Sequence, residues 1–350
     1  MTEIDTRHNP DNEIVKYIFL ERLENSKDGK DPKTVNQYVN AIHEFEIATG
    51  FKDFRKYNSD WAIIFKDYLN DKITKRESKH VSSSLFLHYI SHARQFLQWL
   101  RDNEAEYSKL KQDDIDYMHV KRKEKTKARA RNHPESHDIS DILATIRNMP
   151  ESTEIEIRNK AIMSLFAITT PRISSLQEAR IGRIKYFKDY DAWAFLQDPR
   201  LQNTKGSEYI TSFFIGQVED IIQNVIKWHD LLIFKGYKKN DYLFPRITPS
   251  FTKDGDAVMI LTKECIKSDT QIRGIVKEAY ENKGLQYIKP HNFRHSIARH
   301  VRKTNSNPTD TLIALAENAG QKNGFSILVT SYAGDPLEIK AKLMKGIMLE

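Results

Sequence analysis

The chain has almost no cysteine and no long apolar run, and both absences narrow what it can be. Cys265 is the single cysteine among 350 residues, so an internal disulfide and a cysteine-based zinc cluster are both excluded. No stretch approaches the roughly 18 consecutive apolar residues that a membrane-spanning helix needs. The N-terminus lacks the basic-then-apolar order of a secretory signal. These absences predict a soluble protein of a reducing compartment.

Charged residues of both signs are abundant, with an excess of base. The chain has 55 Lys+Arg against 48 Asp+Glu, a formal net charge of +7, and 39% hydrophobic residues. This apolar fraction is enough for real cores and excludes a largely disordered chain. A chain of 350 residues is longer than a single hydrophobic core usually supports, so we expect two domains. The moderate net charge by itself identifies no partner.

The first hundred residues carry the apolar spacing of four helices. Asp31 and Pro32 form a helix start, because an Asp cap is followed by Pro at the first helical position. Apolar residues then recur at three- and four-residue steps. Similar patterns begin near Ile14, Asp60 and Val81. We expect an all-α helical-bundle domain over residues 10–105.

A basic stretch with irregular apolar spacing follows, and we interpret residues 106–137 as an interdomain linker. Its basic residues are Lys121, Arg122, Lys123, Lys125, Lys127, Arg129 and Arg131, with Glu124 as the one acid among them. Such a run is either a solvated linker or a surface that lies along phosphate. The sequence leaves both interpretations open.

The remaining residues, 138–350, mix two kinds of pattern. Helical spacing dominates, but residues 192–196 and 209–215 are rich in aromatic and β-branched side chains, which predicts two short strands. The turn-forming string 202–207 lies between them, so we expect a β-hairpin with Lys205 at or near its tip. The fold class is therefore mainly α, with a small β-sheet in an α+β second domain.

Four separated segments carry candidate functional residues, and each is weak alone. They are Arg172-Ile173-Ser174-Ser175-Leu176, the Lys205 turn, the run from His291 to Ala298, and Gly320-Gln321 followed by Tyr332. A His-x-x-Arg pair is common by chance, and His119 with Arg122 repeats it inside the linker. The order and spacing of all four segments together therefore carry the signal.

On these segments the sequence resembles the tyrosine recombinase family, also called the phage integrases. Arg172 to Leu176 matches the first box of the family, and His291 to Ala298 matches the second box, His-x-x-Arg-His followed by a small hydroxyl residue and x-Ala. The hairpin Lys and a late Tyr also follow in order. The helical first domain and basic linker suit the family's core-binding domain, so the resemblance spans the whole chain.

The resemblance implies that DNA strands are cleaved and rejoined through a 3′-phosphotyrosine intermediate, with Tyr332 as the nucleophile. His291 is the candidate acceptor of the phenol proton, and Lys205 is the candidate acid for the departing 5′-hydroxyl. Attack builds negative charge on the non-bridging phosphate oxygens, and the guanidiniums of Arg172 and Arg294 fork onto such oxygens without losing their charge. The second domain is then the catalytic domain, and the first binds DNA.

Two positions depart from the family pattern. Ser175 stands where the family has an acid, with Glu178 one turn further along. Gln321 replaces the usual His or Trp of the third box, and Gln donates a hydrogen bond but carries no charge. We expect Gln321 to contact phosphate; the alternative is that His295 or His300 supplies this function.

The expected partners are double-stranded DNA recombination sites and further copies of the chain in a synaptic tetramer, with no membrane. No P-loop and no metal-ligand spacing occur, so we expect no cofactor and no metal. The resemblance implies integration or excision of a mobile element, or resolution of chromosomes, by a cytoplasmic, nucleoid-associated enzyme. A type IB topoisomerase and a non-catalytic DNA-binding protein of the same fold stay open as alternatives.

After Tyr332, apolar residues predict a short amphipathic helix at the C-terminus. It packs either within its own chain or on a neighbouring subunit.

Overall fold

The computed structural model describes residues 8–75, 83–120, 136–202, 204, 208–216, 218–252, 254–304, 308–320 and 336–349. The chain divides into two units, Met1–His133 and Pro134–Glu350, each with its own internal contacts. Among the described helices, none combines the length and apolar character that crossing a membrane requires.

The described part of the first unit is built from helices. They are α1 (Pro10–Asn25), α2 (Pro32–Thr49), α3 (Ser59–Lys75), α4 (Ser83–Asn103) and α5 (Gln112–Asp116), with short 3₁₀ turns at Phe54–Lys56 and Ala105–Tyr107. The predicted start of α2 is confirmed, since the Asp31 side chain accepts from the backbone N–H of Lys33 at 2.8 Å. The four predicted helices are therefore present.

Aromatic rings form the core of the first unit. Phe96, fully buried, lies with its ring centroid 5.1 Å from that of Phe19 and 5.3 Å from that of Phe54. Phe45 packs against Phe65 at 5.2 Å in an edge-to-face arrangement. Such pairs add to the free energy gained by burying apolar area alone.

The first unit extends beyond the boundary that we expected near residue 105. Tyr107, Leu110, Ile115, Met118 and Val120 are all buried in its core. The sequence did not predict their burial, because apolar residues are sparse and irregularly spaced here. A short helix and turns can bury side chains without a regular apolar repeat. The basic run of residues 121–131 lies outside the described residues.

The described part of the second unit is mainly helical, with two small antiparallel sheets. Its helices are α6 (Ile139–Arg147), α7 (Glu154–Thr169), α8 (Ile173–Gln177), α9 (Glu219–Phe234), α10 (Asp269–Asn282), α11 (Phe293–Thr304), α12 (Pro308–Asn318) and α13 (Pro336–Lys345). Its strands are β1 (Ile184–Phe187), β2 (Ala192–Gln197), β3 (Ile210–Phe213), β4 (Pro245–Phe251) and β5 (Ala257–Cys265). The sheets have the orders β1-β2-β3 and β4-β5.

The predicted hairpin is confirmed as the pair β2-β3, in register from Ala194 opposite Phe213 to Gln197 opposite Ile210. The strands β1, β4 and β5 were not predicted. The side chains of β4 and β5 are mostly exposed or half-buried. These two strands therefore lack the alternation of buried and exposed side chains that is typical of a half-buried strand.

The C-terminal helix packs within its own chain, which is one of the two alternatives that the sequence left open. Ala341, Met344 and Ile347 are buried in the core of the second unit. The backbone N–H of Gly216 donates to the carbonyl of Met344 at 3.2 Å. The helix is thus part of the second unit's hydrophobic core.

Candidate active site

The end of helix α7 sets the position of the first candidate arginine. The helix is almost wholly buried, and it stops at Thr170, whose backbone is left-handed with φ 48° and ψ 46°. The N–H of Thr170 still donates to the carbonyl of Phe166 at 3.0 Å. Pro171 then prevents further helical bonding, so Arg172 begins the next short helix, α8.

Arg294 is held against this same turn. Its side chain is buried, at 6% exposure, and its Nε and Nη2 donate to the carbonyl of Thr170 at 2.9 and 2.7 Å. Its third nitrogen, Nη1, donates to no residue in the described parts of the chain. The guanidinium is therefore fixed on one side and has a donor left for a ligand.

Arg172 is half-buried and is anchored by a different carbonyl. Its Nη2 donates to the carbonyl of Gly320 at 2.9 Å. Gly320 has φ 63°, and a Cβ at this position would lie 2.4 Å from Cδ1 of Ile210. Only glycine fits both the left-handed backbone and the close approach to β3, so the sequence places this carbonyl beside Arg172.

His291 precedes Arg294 by nearly one helical turn, in the 3₁₀ segment Pro290–Asn292 that leads into α11. Partial burial of the ring lowers the pKa of His291 below its ordinary value, and the charges of Arg294, His295 and Arg172 lower it further. The imidazole is consequently neutral at neutral pH and able to accept a proton.

Arg172 and Arg294, with the neutral imidazole of His291 beside them, form what we call the cation cluster. Burial is the main cause that lowers the pKa of Arg294 to about 10, and the charge of Arg172 contributes. Burial also lowers the pKa of Arg172. Among the described residues, neither arginine bonds to a carboxylate. Two guanidiniums that repel each other without an acid between them form a site for an anion.

A cavity of about 640 Å³ opens beside Arg294, between helices α11 and α12. Thr170, His295 and Arg302 are among the residues that line it. His295, one alternative for the third-box role, is half-buried, and its ring meets that of His291 edge-on at 6.0 Å. His300, the other alternative for the third-box role, bonds the carbonyl of Met348 instead.

Ser175, at the position where the family has an acid, is fully buried on α8. Its carbonyl accepts from Nε2 of Gln202 at 3.4 Å. Gln202 follows Asp198, a buried carboxylate that accepts from Arg183 at 2.8 Å and from Arg200 at 2.9 Å. The contact of Gln202 joins the segment that follows β2 to α8, the short helix that begins after Arg172.

The sequence did not single out the carbonyls of Thr170 and Gly320 or the carboxylate of Asp198. A residue pattern does not mark a backbone carbonyl as a partner, although the glycine in Gly320-Gln321 was a local signal. Three proposed catalytic residues, Lys205, Gln321 and Tyr332, lie outside the described residues.

In the described parts of the chain, one group of side chains has metal-ligand spacing, and it lies in the first unit. Atoms of His8, Glu13 and Glu46 lie within 4.8 Å of one another. The ammonium of Lys16 bonds both carboxylates, at 2.7 Å in the case of Glu46. This lysine already bonds both acids of the group.

Comparison with known structures finds the same fold in several proteins. A lambda integrase dimer bound to a COC′ core site matches with a TM-score of 0.59 at 12% identity, covering 90% of this chain and 96% of that chain. XerH site-specific recombinase bound to difH substrate matches with 0.55 at 13%, covering 97% and 90%. The Tn1549 transposon integrase in complex with circular intermediate DNA matches with 0.51 at 11%, covering 94% and 98%. At such identities the likeness shows the fold alone.

A comparison with curated protein sequences finds no significant match. The family model described as the phage integrase family, however, matches residues 134–312, which is more than half of the chain. Its range contains the cation cluster and the β2-β3 hairpin. The chain therefore belongs to the phage integrase family, the tyrosine-type site-specific DNA recombinases.

Proposed function

We propose that Tyr332 of this recombinase attacks a DNA backbone phosphorus and forms a 3′-phosphotyrosine intermediate. The bond from the phenol oxygen to phosphorus forms as the bond from phosphorus to the 5′ oxygen breaks. The phenol proton passes to His291, and Lys205 donates a proton to the departing 5′ oxygen. Attack by a 5′-hydroxyl from another duplex reverses these steps and exchanges the strands, with no external energy source.

The observation that carries this proposal is the cation cluster with no carboxylate bonded to its arginines among the described residues. Arg172 and Arg294 are each anchored by one backbone carbonyl, which fixes the guanidiniums before substrate arrives. A phosphodiester in its five-coordinate transition state carries the negative charge that such a preorganised pair stabilises. A neutral substrate would leave the mutual repulsion of the arginines uncompensated.

The neighbouring residues have roles that fit the same chemistry. His291, with its lowered pKa, is the proton acceptor, because a phenol with a pKa near 10 needs a neutral base close by. Gln321 donates one hydrogen bond to a phosphate oxygen without adding charge.

The DNA partner is proposed on two grounds. Several proteins of the same fold are described as bound to DNA sites, one of them as a tetramer on a Holliday junction. The run from Lys121 to Arg131 supplies seven cations that neutralise phosphates and release counterions. We propose that the helical first unit binds DNA, that the basic run follows the backbone, and that four copies assemble on paired sites for integration or excision of a mobile element.

The proposal is tested by trapping the covalent intermediate. The full chain is incubated with its native DNA site carrying a nick close to the scissile phosphate, so that the short 5′-hydroxyl fragment diffuses away. We expect a protein–DNA adduct on a denaturing gel. The adduct should be absent from the Tyr332→Phe variant and present at normal yield in the matched Tyr287→Phe variant.

Trapping, together with a DNA-binding assay and a supercoil-relaxation assay, separates the alternatives. An adduct that survives Tyr332→Phe contradicts the assignment of the nucleophile. Specific binding to the native site without any adduct indicates a non-catalytic DNA-binding protein. Relaxation of supercoiled DNA that lacks paired sites indicates topoisomerase chemistry, in which the original strand is rejoined.

A further inference from the structure

We propose that Asn318 is a positioning residue that sets the orientation of Arg172 through the carbonyl of Gly320. Asn318 is the last residue of helix α12 and has no exposed surface. Gly320, two residues later, supplies the acceptor for Arg172 Nη2 at 2.9 Å. This inference rests on the proposed function, because it assigns Arg172 to the phosphate site.

Asn318 forms a two-sided bond to the edge of the three-stranded sheet. Its Oδ1 accepts from the N–H of Phe213 at 2.7 Å, and its Nδ2 donates to the carbonyl of the same residue at 2.9 Å. Among the described strands, β3 lies at the edge of its sheet, so these backbone groups face no further described strand. The amide of Asn318 takes the place of that strand and ties the end of α12 to the sheet.

A second, independent contact fixes the backbone of the same residue. The carbonyl of Asn318 accepts from Oγ of Ser212 at 2.6 Å. Ser212 Oγ in turn accepts from Nε2 of Gln197 at 2.8 Å. Gln197, Ser212 and Asn318 are all buried, so the whole chain of bonds forms away from water, where polar networks are most rigid.

This network connects the sheet to the phosphate site. Both the main chain and the side chain of Asn318 are held, and only Ala319 separates it from Gly320. Gly320 itself lies against Ile210 of β3. The carbonyl that anchors Arg172 is therefore fixed relative to β3, the strand that follows the Lys205 turn. Arg294 does not depend on this network, because Thr170 at the end of α7 anchors it.

The test replaces Asn318 by Leu, which has a similar volume and no polar atom. The matched control is Asn12→Leu in the first unit. Asn12 is also fully buried, and its amide likewise donates to a backbone carbonyl, that of Lys52 at 2.9 Å, and accepts from a backbone N–H, that of Phe54 at 3.1 Å. Both variants lose the same kind of two-sided bond.

The first readout is the rate of adduct formation at saturating DNA. We expect Asn318→Leu to lower this rate by about 10- to 100-fold, the effect of a small misplacement of a positioned group. In an Arg172→Ala background the same substitution should cause no further loss, because residues that act through each other are not additive. Asn12→Leu should stay within about threefold of wild type. A loss that persists undiminished without Arg172 would overturn the proposal.

The second readout needs no catalysis and follows the arginine Nε–H resonances by NMR, with Arg172 assigned by its loss in Arg172→Lys. We expect Asn318→Leu to shift or broaden the Arg172 signal and to leave the Arg294 signal in place. An unmoved Arg172 signal would overturn the proposal. A wild-type protein that forms no adduct would contradict the proposed function, while this spectrum still decides the role of Asn318.

A milder variant covers the case in which Asn318→Leu does not fold. Ser212→Ala removes only the hydroxyl that donates to the carbonyl of Asn318. It should shift or broaden the Arg172 signal relative to wild type and leave the Arg294 signal in place. A spectrum in which Ser212→Ala leaves Arg172 unchanged counts against the proposal.

Discussion

Arg55 in the first unit and Arg294 in the second carry the same guanidinium in opposite surroundings. Arg55 bonds the carboxylates of Asp11, Asp53 and Glu106, and the hydrogen bond to Asp53 is the main cause that raises its pKa. Arg294 is buried against a carbonyl, which lowers its pKa to about 10. An arginine surrounded by acids serves the fold, whereas a buried arginine beside another cation serves an anionic ligand.

The largest effect should follow from Arg294→Met. The substitution keeps the apolar stem and removes the cation that stabilises the developing charge on phosphate. Loss of one such preorganised donor costs about 10²- to 10³-fold in rate. The measurement is single-turnover adduct formation at saturating DNA, and a rate within about tenfold of wild type would contradict this role.

Arg158 provides the matched control in the same unit. It is 1% exposed, its Nη1 donates to the carbonyl of Pro245 at 2.9 Å, and burial lowers its pKa to about 10. It resembles Arg294 in burial and pKa but contributes nothing to the cation cluster. Arg158→Met should change the unfolding temperature and leave the cleavage rate of the folded protein unchanged.

The next effect concerns the pKa of His291, measured by NMR titration of its ring protons. In the wild type this pKa should lie below the ordinary value of 6.5. A nearby positive charge disfavours the imidazolium, so Arg172→Ala should raise the pKa of His291. Added salt should also raise it, because salt screens partly exposed charges. If neither Arg172→Ala nor added salt changed the pKa of His291, Arg172 would not lie close enough to belong to the cation cluster.

His92 in the first unit offers the contrasting case. Burial is the main cause that lowers its pKa, with a smaller contribution from His88, and its ring stacks on Tyr38 at 4.0 Å. The unfolded chain binds a proton more readily than this folded state, so stability present above pH 6.5 is lost as the pH falls below it. His92→Phe should keep the stacking and reduce this loss, as followed by thermal unfolding at several pH values. An unchanged pH dependence would show that other groups cause it.

A smaller effect is expected from Thr170→Gly. Thr170 adopts φ 48°, which a β-branched residue rarely does, and glycine removes that strain at some cost in chain entropy. The free energy of unfolding should rise by up to about 1 kcal/mol, while the carbonyl that anchors Arg294 is retained. Thr169→Gly, one residue earlier and inside helix α7, should lower it by about 1 kcal/mol. Denaturant titration compares the two.

The smallest effect on cleavage and stability is expected from Arg55→Met. Arg55→Met removes a surface cation that three acids surround, and such exposed pairs contribute little to stability. The unfolding temperature should change only slightly and the cleavage rate at saturating DNA should not change. A cleavage defect as large as that of Arg294→Met would show that pairing with acids does not separate structural from functional arginines.

Local patterns in the sequence predicted much of this molecule. The helix start at Asp31 and the β2-β3 hairpin depend on neighbouring residues, and both are present. Strands β4 and β5 were not predicted because their side chains are mostly exposed or half-buried and show no buried alternation. The packed residues after Ala105 were not predicted because their burial depends on distant parts of the chain. A short segment without a sustained apolar period carries no local sign of where it packs.

In the candidate site, too, the sequence predicted some residues but not their partners. Arg172, His291 and Arg294 were identified by motif, and the structure places them within reach of one another's charge. Their anchors are backbone carbonyls 124 residues away in the case of Arg294 and 148 in the case of Arg172. A carbonyl has no residue type to mark it, so these partners require the fold.

The most direct test of the central claim is tandem mass spectrometry of the trapped adduct after digestion with protease and nuclease. The account predicts one modified peptide, with a nucleotide joined through its 3′ phosphate to the phenol oxygen of Tyr332. A nucleotide on another side chain, or a 5′-phosphate linkage, would contradict it.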